Sequence, residues 1–201
     1  MKFYDTKETE NFMINMPKGN LVEFGVYIGN NLWQLIKSAM LIGNDFTNAY
    51  GFDSFQGLPQ ETKGIYHNPA WEVGTFNLVK DLNLQSIEHA IQVVRNRVGN
   101  KAVLIPGWFE DTCNEYWGNI LHDSVSYIHV DCDLHSSAKT CLEFSFKYKI
   151  CKPGCIFRFD DIASTPANAG EQLALDDCTK EFDISWEQLG TNVFIYRGQK
   201  I

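Results

Sequence analysis

Apolar positions along this chain alternate between two rhythms. Runs of consecutive apolar residues, of strand length, give way to stretches in which apolar residues recur every three or four positions. Leu21 to Tyr27 reads as a first strand, and Asn31 to Ile42 as a helix with Leu32, Leu35, Ile36 and Ala39 on one face. Asn48 to Asp53 is a second strand, and residues 84–98 form a helix with Ile87, Ile91 and Val94 inward. Ala102 to Ile105, Val125 to Val130 and Cys155 to Phe159 follow as strands, with helices near 109–121, 136–148 and 169–181. Pro153-Gly154 is expected to turn the chain into the fifth strand. Two late strands, near 183–188 and 192–197, suit an antiparallel hairpin at the sheet edge. Their connection contains Gly190 and reads as no tight two-residue turn. Residues 5–16, within an N-terminal segment 1–18, read as a short amphipathic helix closed by Pro17 and Gly19. Strands alternating with helices are the signature of βαβ units and a parallel sheet.

Residues 54–80 fit neither rhythm. They are rich in Gly, Pro and aromatics and too long for a passive connection, which suits a lid or substrate loop. No repeat, low-complexity stretch or linker divides the chain, so 1–201 is expected to be one domain with a proper core.

Two strands end in paired carboxylates: His-Val-Asp-Cys-Asp at 129–133 and Ile-Phe-Arg-Phe-Asp-Asp at 156–161. Side by side in a parallel sheet, they would bring Asp131, Asp133, Asp160 and Asp161 to one rim. Ligands bind at the carboxyl ends of strands in such sheets. Carboxylates gathered there repel one another unless a cation or shared protons hold them. A hard divalent cation with oxygen ligands suits them.

Composition narrows the classes. Net charge is −8 with no Lys/Arg cluster, which argues against a nucleic-acid surface. No stretch is apolar for long enough to span a bilayer, and the polar residues 1–10 do not resemble a signal peptide, so a cytoplasmic enzyme is expected. None of the six cysteines forms a CxxC, and buried reduced thiols are the simplest reading.

Three further segments and two histidines carry candidate chemistry. In Leu21 to Asn30, Gly25 and Gly29 follow a strand and open a helix whose free N–H groups suit an anion. The spacing is GxxxG, not the GxGxxG of dinucleotide enzymes. Glu23 stands where an acidic residue can anchor an ammonium group, which suits an amino-acid-bearing cofactor. Two glycines after a strand equally make a plain β–α turn. Asp53 comes 24 positions after Gly29, close to the spacing at which an acidic residue takes ribose hydroxyls; a cap is the alternative. In Gly107-Trp-Phe-Glu-Asp-Thr112, Trp108 or Phe109 could wall an adenine ring and Asp111 accept from it, or the segment simply caps a helix. His129 suits a core position. His135 suits a base, a substrate contact or a cap.

The order of these segments is more specific than any one of them. VEFGVYIGN (22–30), YGFDSFQGLP (50–59), PGWFEDT (106–112), HVDCDLHSS (129–137) and PGCIFRFDD (153–161) together resemble the macrocin O-methyltransferase family. Those are class I S-adenosylmethionine-dependent enzymes that methylate sugar hydroxyls of macrolide antibiotics. The resemblance runs from about residue 17 to about 182. It implies an α/β, Rossmann-like class I methyltransferase fold: a mostly parallel seven-stranded sheet, helices on both faces and an antiparallel edge strand. It implies an S-adenosylmethionine site made by Glu23, Gly25, Gly29, Asp53, Ser54 and the 107–111 loop with Gly107, Trp108, Phe109 and Asp111. It also implies a Mg²⁺ site of Asp131, Asp160 and Asp161, and proton removal by Asp131 or His135 from a small sugar-like hydroxyl acceptor. Asn30, His135 and Cys155 depart from the glycine, tyrosine and glycine usual in the family, and residues 54–80 look unlike its equivalent. Three alternatives share or approach the fold: a cofactor-binding protein without methyl transfer, a metal-independent methyltransferase, and a NAD-dependent enzyme. An edge strand, the N-terminal helix or the aromatic loop with Tyr66, Trp71 and Phe76 offers a surface for a homo-oligomer.

Overall fold

The computed structural model describes residues 11–14 and 16–200. Seven strands form one sheet: β1 (Asn20–Phe24), β2 (Ala49–Asp53), β3 (Ala102–Pro106), β4 (Val125–Val130), β5 (Cys151–Phe159), β6 (Ile184–Gly190) and β7 (Val193–Gln199). Their order is β3-β2-β1-β4-β5-β7-β6. The first five are parallel, and β7 pairs antiparallel with both β5 and β6. Strand order reverses between β1 and β4. The crevice above that switch point is where an open α/β sheet takes its ligand.

Strand alternation divides the core into two layers. Val22, Phe24, Ile128, Val130, Phe157 and Phe159 pack on one face, against helices α5 (Glu115–Leu121), α6 (His135–Lys147) and α7 (Gly170–Glu181). Leu21, Tyr127 and Ile156 pack on the other, against α1 (Asn30–Leu41) and α3 (Ile87–Val98). On α1, the expected stripe of Leu32, Leu35, Ile36 and Ala39 is buried. The α3 helix starts at Ile87 rather than 84 because the Ser86 side chain caps it, accepting from His89 N at 3.3 Å.

Three local readings change. The helix expected over 109–121 is two: α4 (Phe109–Thr112) and α5, broken where Asn114 Oδ1 accepts from Trp117 N and restarts the helix. Pro153-Gly154 is not a turn before β5 but lies within it. Pairing moves from Val125↔Cys151 to Tyr127↔Ile156, five positions against two, so the segment forms a bulge, with Gly154 at φ 101°. The late hairpin is tighter than expected, since Gly190 pairs with Val193 and only Thr191 and Asn192 turn the chain. Within 54–80 there is a 3₁₀ turn at Pro69–Trp71, a short helix α2 (Leu78–Asp81) and one bridge between Gln56 and Asn77. Of the N-terminal helix expected over 5–16, residues 11–13 are helical, and 1–10 and 15 lie outside the described residues. Among the described residues no helix is long and apolar enough to cross a membrane.

Candidate active site

The carboxyl ends of β1, β2, β4 and β5 open into a cavity of about 430 Å³. Its first wall is the turn after β1. Gly25 takes φ 88°, and a Cβ there would lie 1.7 Å from the Asp131 carbonyl oxygen, so only glycine lets the ends of β1 and β4 come this close. The Asp53 carboxylate holds the turn. Its Oδ2 accepts from Val26 N at 2.7 Å and Tyr27 N at 2.6 Å, and its Oδ1 accepts from Phe55 N at 2.5 Å. Burial pushes its pKa up, while these three amides pull it down.

The opposite wall carries the acids. Oxygens of Asp131, Asp160 and Asp161 lie within 4.8 Å of one another. Asp131 Oδ2 also accepts from Asn31 Nδ2, at 2.9 Å, on the first turn of α1. Burial, then the neighbouring charges of Asp160 and Asp161, hold the Asp131 carboxyl well above the usual carboxylate range. Asp133, at φ 59°, is raised by burial and then by Asp131 and Asp161. Glu171, buried at the start of α7, ties the two acidic loops together. Its Oε1 accepts from Cys132 N at 3.0 Å and its Oε2 from Asp161 N at 3.0 Å. The hairpin turn braces the same rim, with Asn192 Nδ2 donating to the Asp160 carbonyl at 2.9 Å.

Beneath the rim a polar row crosses the central strands. Glu23, His129 and Arg158 are in register on β1, β4 and β5. Glu23 Oε1 lies 2.9 Å from His129 Nδ1, and both side chains are buried. Burial, then the charges of Asp131, Asp53 and Asp160, push the Glu23 carboxyl up, and burial followed by Arg158 pushes the His129 imidazole down. A neutral pair sharing one hydrogen bond costs least in such a place.

Of the residues the sequence singled out, Gly25, Asp53, Ser54, Trp108, Phe109, Asp131, Asp160 and Asp161 line this cavity. Glu23, Gly29, Gly107 and Asp111 do not. Glu23 lies beneath the turn, Gly29 caps α1, and Gly107 N donates to the Asp53 carbonyl. Asp111 sits on α4, where its backbone N–H donates to the Trp108 carbonyl. His135 turns to a second cavity, with Nε2 3.0 Å from Asp177 Oδ2. Asn31 and Glu171 are the site residues the sequence reading missed.

A profile of the macrocin-O-methyltransferase (TylF) family matches residues 6–182. The chain belongs to that family. Its members are S-adenosylmethionine-dependent O-methyltransferases, and so is this enzyme. Solved structures agree on the fold. CalS11, a calicheamicin methyltransferase also described as TDP-rhamnose 3'-O-methyltransferase, superposes with TM-score 0.70 at 20% identity, covering 96% of this chain and 76% of CalS11. The O-methyltransferase NovP gives TM-score 0.64 at 20% identity, covering 98% of this chain and 78% of NovP. CmcI in its Mg-SAM form gives TM-score 0.53 at 14% identity, covering 98% of this chain and 73% of CmcI. No curated protein sequence matches the chain.

Proposed function

We propose that this enzyme methylates a hydroxyl of a sugar or other polyol-type acceptor, assisted by a divalent cation. The observation that carries this reading is the juxtaposition of three clustered carboxylates with a glycine turn in one cavity. A donor set of three aspartates fits a hard cation such as Mg²⁺ and suits a soft or thiophilic metal poorly.

Asp131, Asp160 and Asp161 would hold the cation, which when bound supplies Lewis acidity toward an acceptor hydroxyl. S-adenosylmethionine, the methyl donor, would lie along the glycine turn, with Gly25, Asp53 and Ser54 on one side and Trp108 and Phe109 on the other. Glu23 supports the turn from beneath. Asp53 orients the Val26 and Tyr27 amides, and Trp108 and Phe109 exclude water from the adenine side. Asp131 takes the hydroxyl proton, because it faces the cavity beside the carboxylate cluster. His135 is less suited, since its Nε2 is engaged by Asp177 in the neighbouring cavity. Residues 54–80 close over both ligands, and alignment of donor and acceptor supplies much of the rate.

The deciding experiment is calorimetry of S-adenosylmethionine with Mg²⁺ and then with excess chelator, followed by methyl transfer to sugar acceptors under both conditions. Cofactor binding in both, with transfer only when metal is present, is the expected result. Undiminished transfer in chelator removes the cation from the mechanism. No cofactor binding removes the assignment of the glycine turn.

A further inference from the structure

A second cavity of about 440 Å³ lies beneath the long loop and meets the first at Pro59, Asn68, Trp71 and Asp133. Four contacts seat the loop over it. Glu61 Oε2 accepts from Ser136 N, at 3.0 Å, on the first turn of α6. Lys63 pairs with Asp177 on α7. Gly64 packs on Leu173, and Trp71 lies over Gly170, where a Cβ would come within 3.5 Å of the indole. The space is therefore built, not left over between mobile segments.

Its walls have a definite chemistry. Tyr66 and Trp71 meet edge-to-face, with ring centroids 5.5 Å apart, and present aromatic surface. His135 lines it with a side chain only 3% exposed, and its Nδ1 has no hydrogen-bond partner among the described residues. Glu61, Glu72 and Asp133 are its acidic groups. Among the described residues no lysine or arginine lines either cavity. The start of α6, where a phosphate would otherwise find free amides, is already taken by the Glu61 carboxylate.

We infer that this cavity is a subsite for the part of the acceptor beyond the ring being methylated, and that it takes a neutral or amine-bearing sugar and rejects a nucleoside diphosphate. The inference rests on the methyltransferase reading above. A sugar ring offers C–H faces to Tyr66 and Trp71 and hydroxyls to the carboxyl groups of Glu72 and Asp133. An ammonium group gains further from the aromatic faces and from Glu72. A diphosphate finds no lysine or arginine in either lining and meets the carboxylates of Glu61, Glu72 and Asp133. A divalent cation among Asp131, Asp160 and Asp161 still leaves that cluster net negative. Selection here works through repulsion as much as attraction. The acceptor class thus differs from the nucleotide sugar named for CalS11.

The test uses the whole enzyme loaded with S-adenosylhomocysteine and three probes: a neutral disaccharide methyl glycoside, its amine-bearing analogue, and TDP-rhamnose. Binding is read by saturation-transfer NMR and calorimetry. Both disaccharides should bind, the amine-bearing one at least as well, and TDP-rhamnose at least about tenfold more weakly. Tyr66→Ala should weaken the disaccharides about tenfold, and Glu72→Lys should erase the preference for the amine, both without changing S-adenosylhomocysteine affinity. Tighter binding of TDP-rhamnose, failure of all three probes, or an unchanged order in both variants would overturn the subsite. Failure of S-adenosylhomocysteine to bind the unmodified enzyme would instead overturn the methyltransferase reading beneath it.

Discussion

The acidic residues at this site fall into two groups that differ in their partners. Asp53 and Glu171 spend both carboxylate oxygens on backbone amides, Asp53 on three and Glu171 on two. Asp131, Asp160 and Asp161 crowd one another instead, with oxygens within 4.8 Å. The first arrangement spends charge on holding loops in place. The second gathers charge in one place, at the expense of mutual repulsion that a cation or proton must relieve. One pair builds the walls on either side of the switch point, and the other three face the space between them. Neutralising a residue of each group should therefore do different things.

The largest effect belongs to the open group. Asp131→Asn keeps size and can still accept from Asn31, but it removes the proposed base and one charge from the cluster. The turnover number should fall by about 10²–10⁴-fold, the range for losing a positioned general base. S-adenosylmethionine affinity and melting temperature should stay close to those of the parent. Turnover within a few-fold of the parent would move the proton to another group, with His135 next in line.

The holding group should break the other way. Glu171→Ala leaves the amides of Cys132 and Asp161 without an acceptor in a buried place, at about 1–3 kcal/mol for each orphaned group. Relief of burying a carboxyl offsets part of this, so a net loss of about 2 kcal/mol is expected, a fall in melting temperature of roughly 4–8 °C for a domain of this size. Asp53→Asn should cost less stability, since one oxygen remains for the turn, but should weaken S-adenosylmethionine about tenfold by loosening the Val26 and Tyr27 amides. Unchanged melting in the first variant, or unchanged cofactor affinity in the second, would erase the distinction between the two groups.

The open group was legible in the sequence and the holding group only half so, for a physical reason. Asp131, Asp160 and Asp161 each end a recognisable apolar strand, and parallel neighbours must share a rim, so strand pattern alone brings them together. Asp53 was legible as an acid at a strand end, but its use of three amides depends on a turn 26 to 27 positions away. Glu171 reaches Cys132 across 39 positions and Asn31 reaches Asp131 across 100, and no local pattern marks either. The same limit explains the bulge at Pro153-Gly154, whose meaning lies in its register against β4, and the break at Cys113-Asn114, where one capping side chain outweighs the apolar period. His135 shows the converse. Its place at the start of α6 was right, yet whether its ring faces the carboxylates or Asp177 depends on α7.

A third use of charge, latching the loop, tests whether holding residues act beyond the walls. Asp177 takes Lys63 from the loop and His135 from α6. Lys63 is the main reason its carboxyl is held below the usual range, with His135 adding to it against burial. A depressed folded pKa means the latch contributes fully above the ordinary aspartate value and is lost as pH falls through the lower folded one. Asp177→Asn should mimic that loss near neutral pH. Lys63 is largely exposed and Asp177 partly so, so little global stability is at stake. The sensitive reading is limited proteolysis within 57–73, which should speed up several-fold in the variant while melting temperature barely moves. The parent should show the same acceleration only when acidified below the ordinary aspartate range. Equal cleavage of parent and variant at neutral pH would mean that Glu61 on α6 and the packing of Trp71 on Gly170 hold the loop without help, and that charge at this site governs chemistry and walls but not the cover.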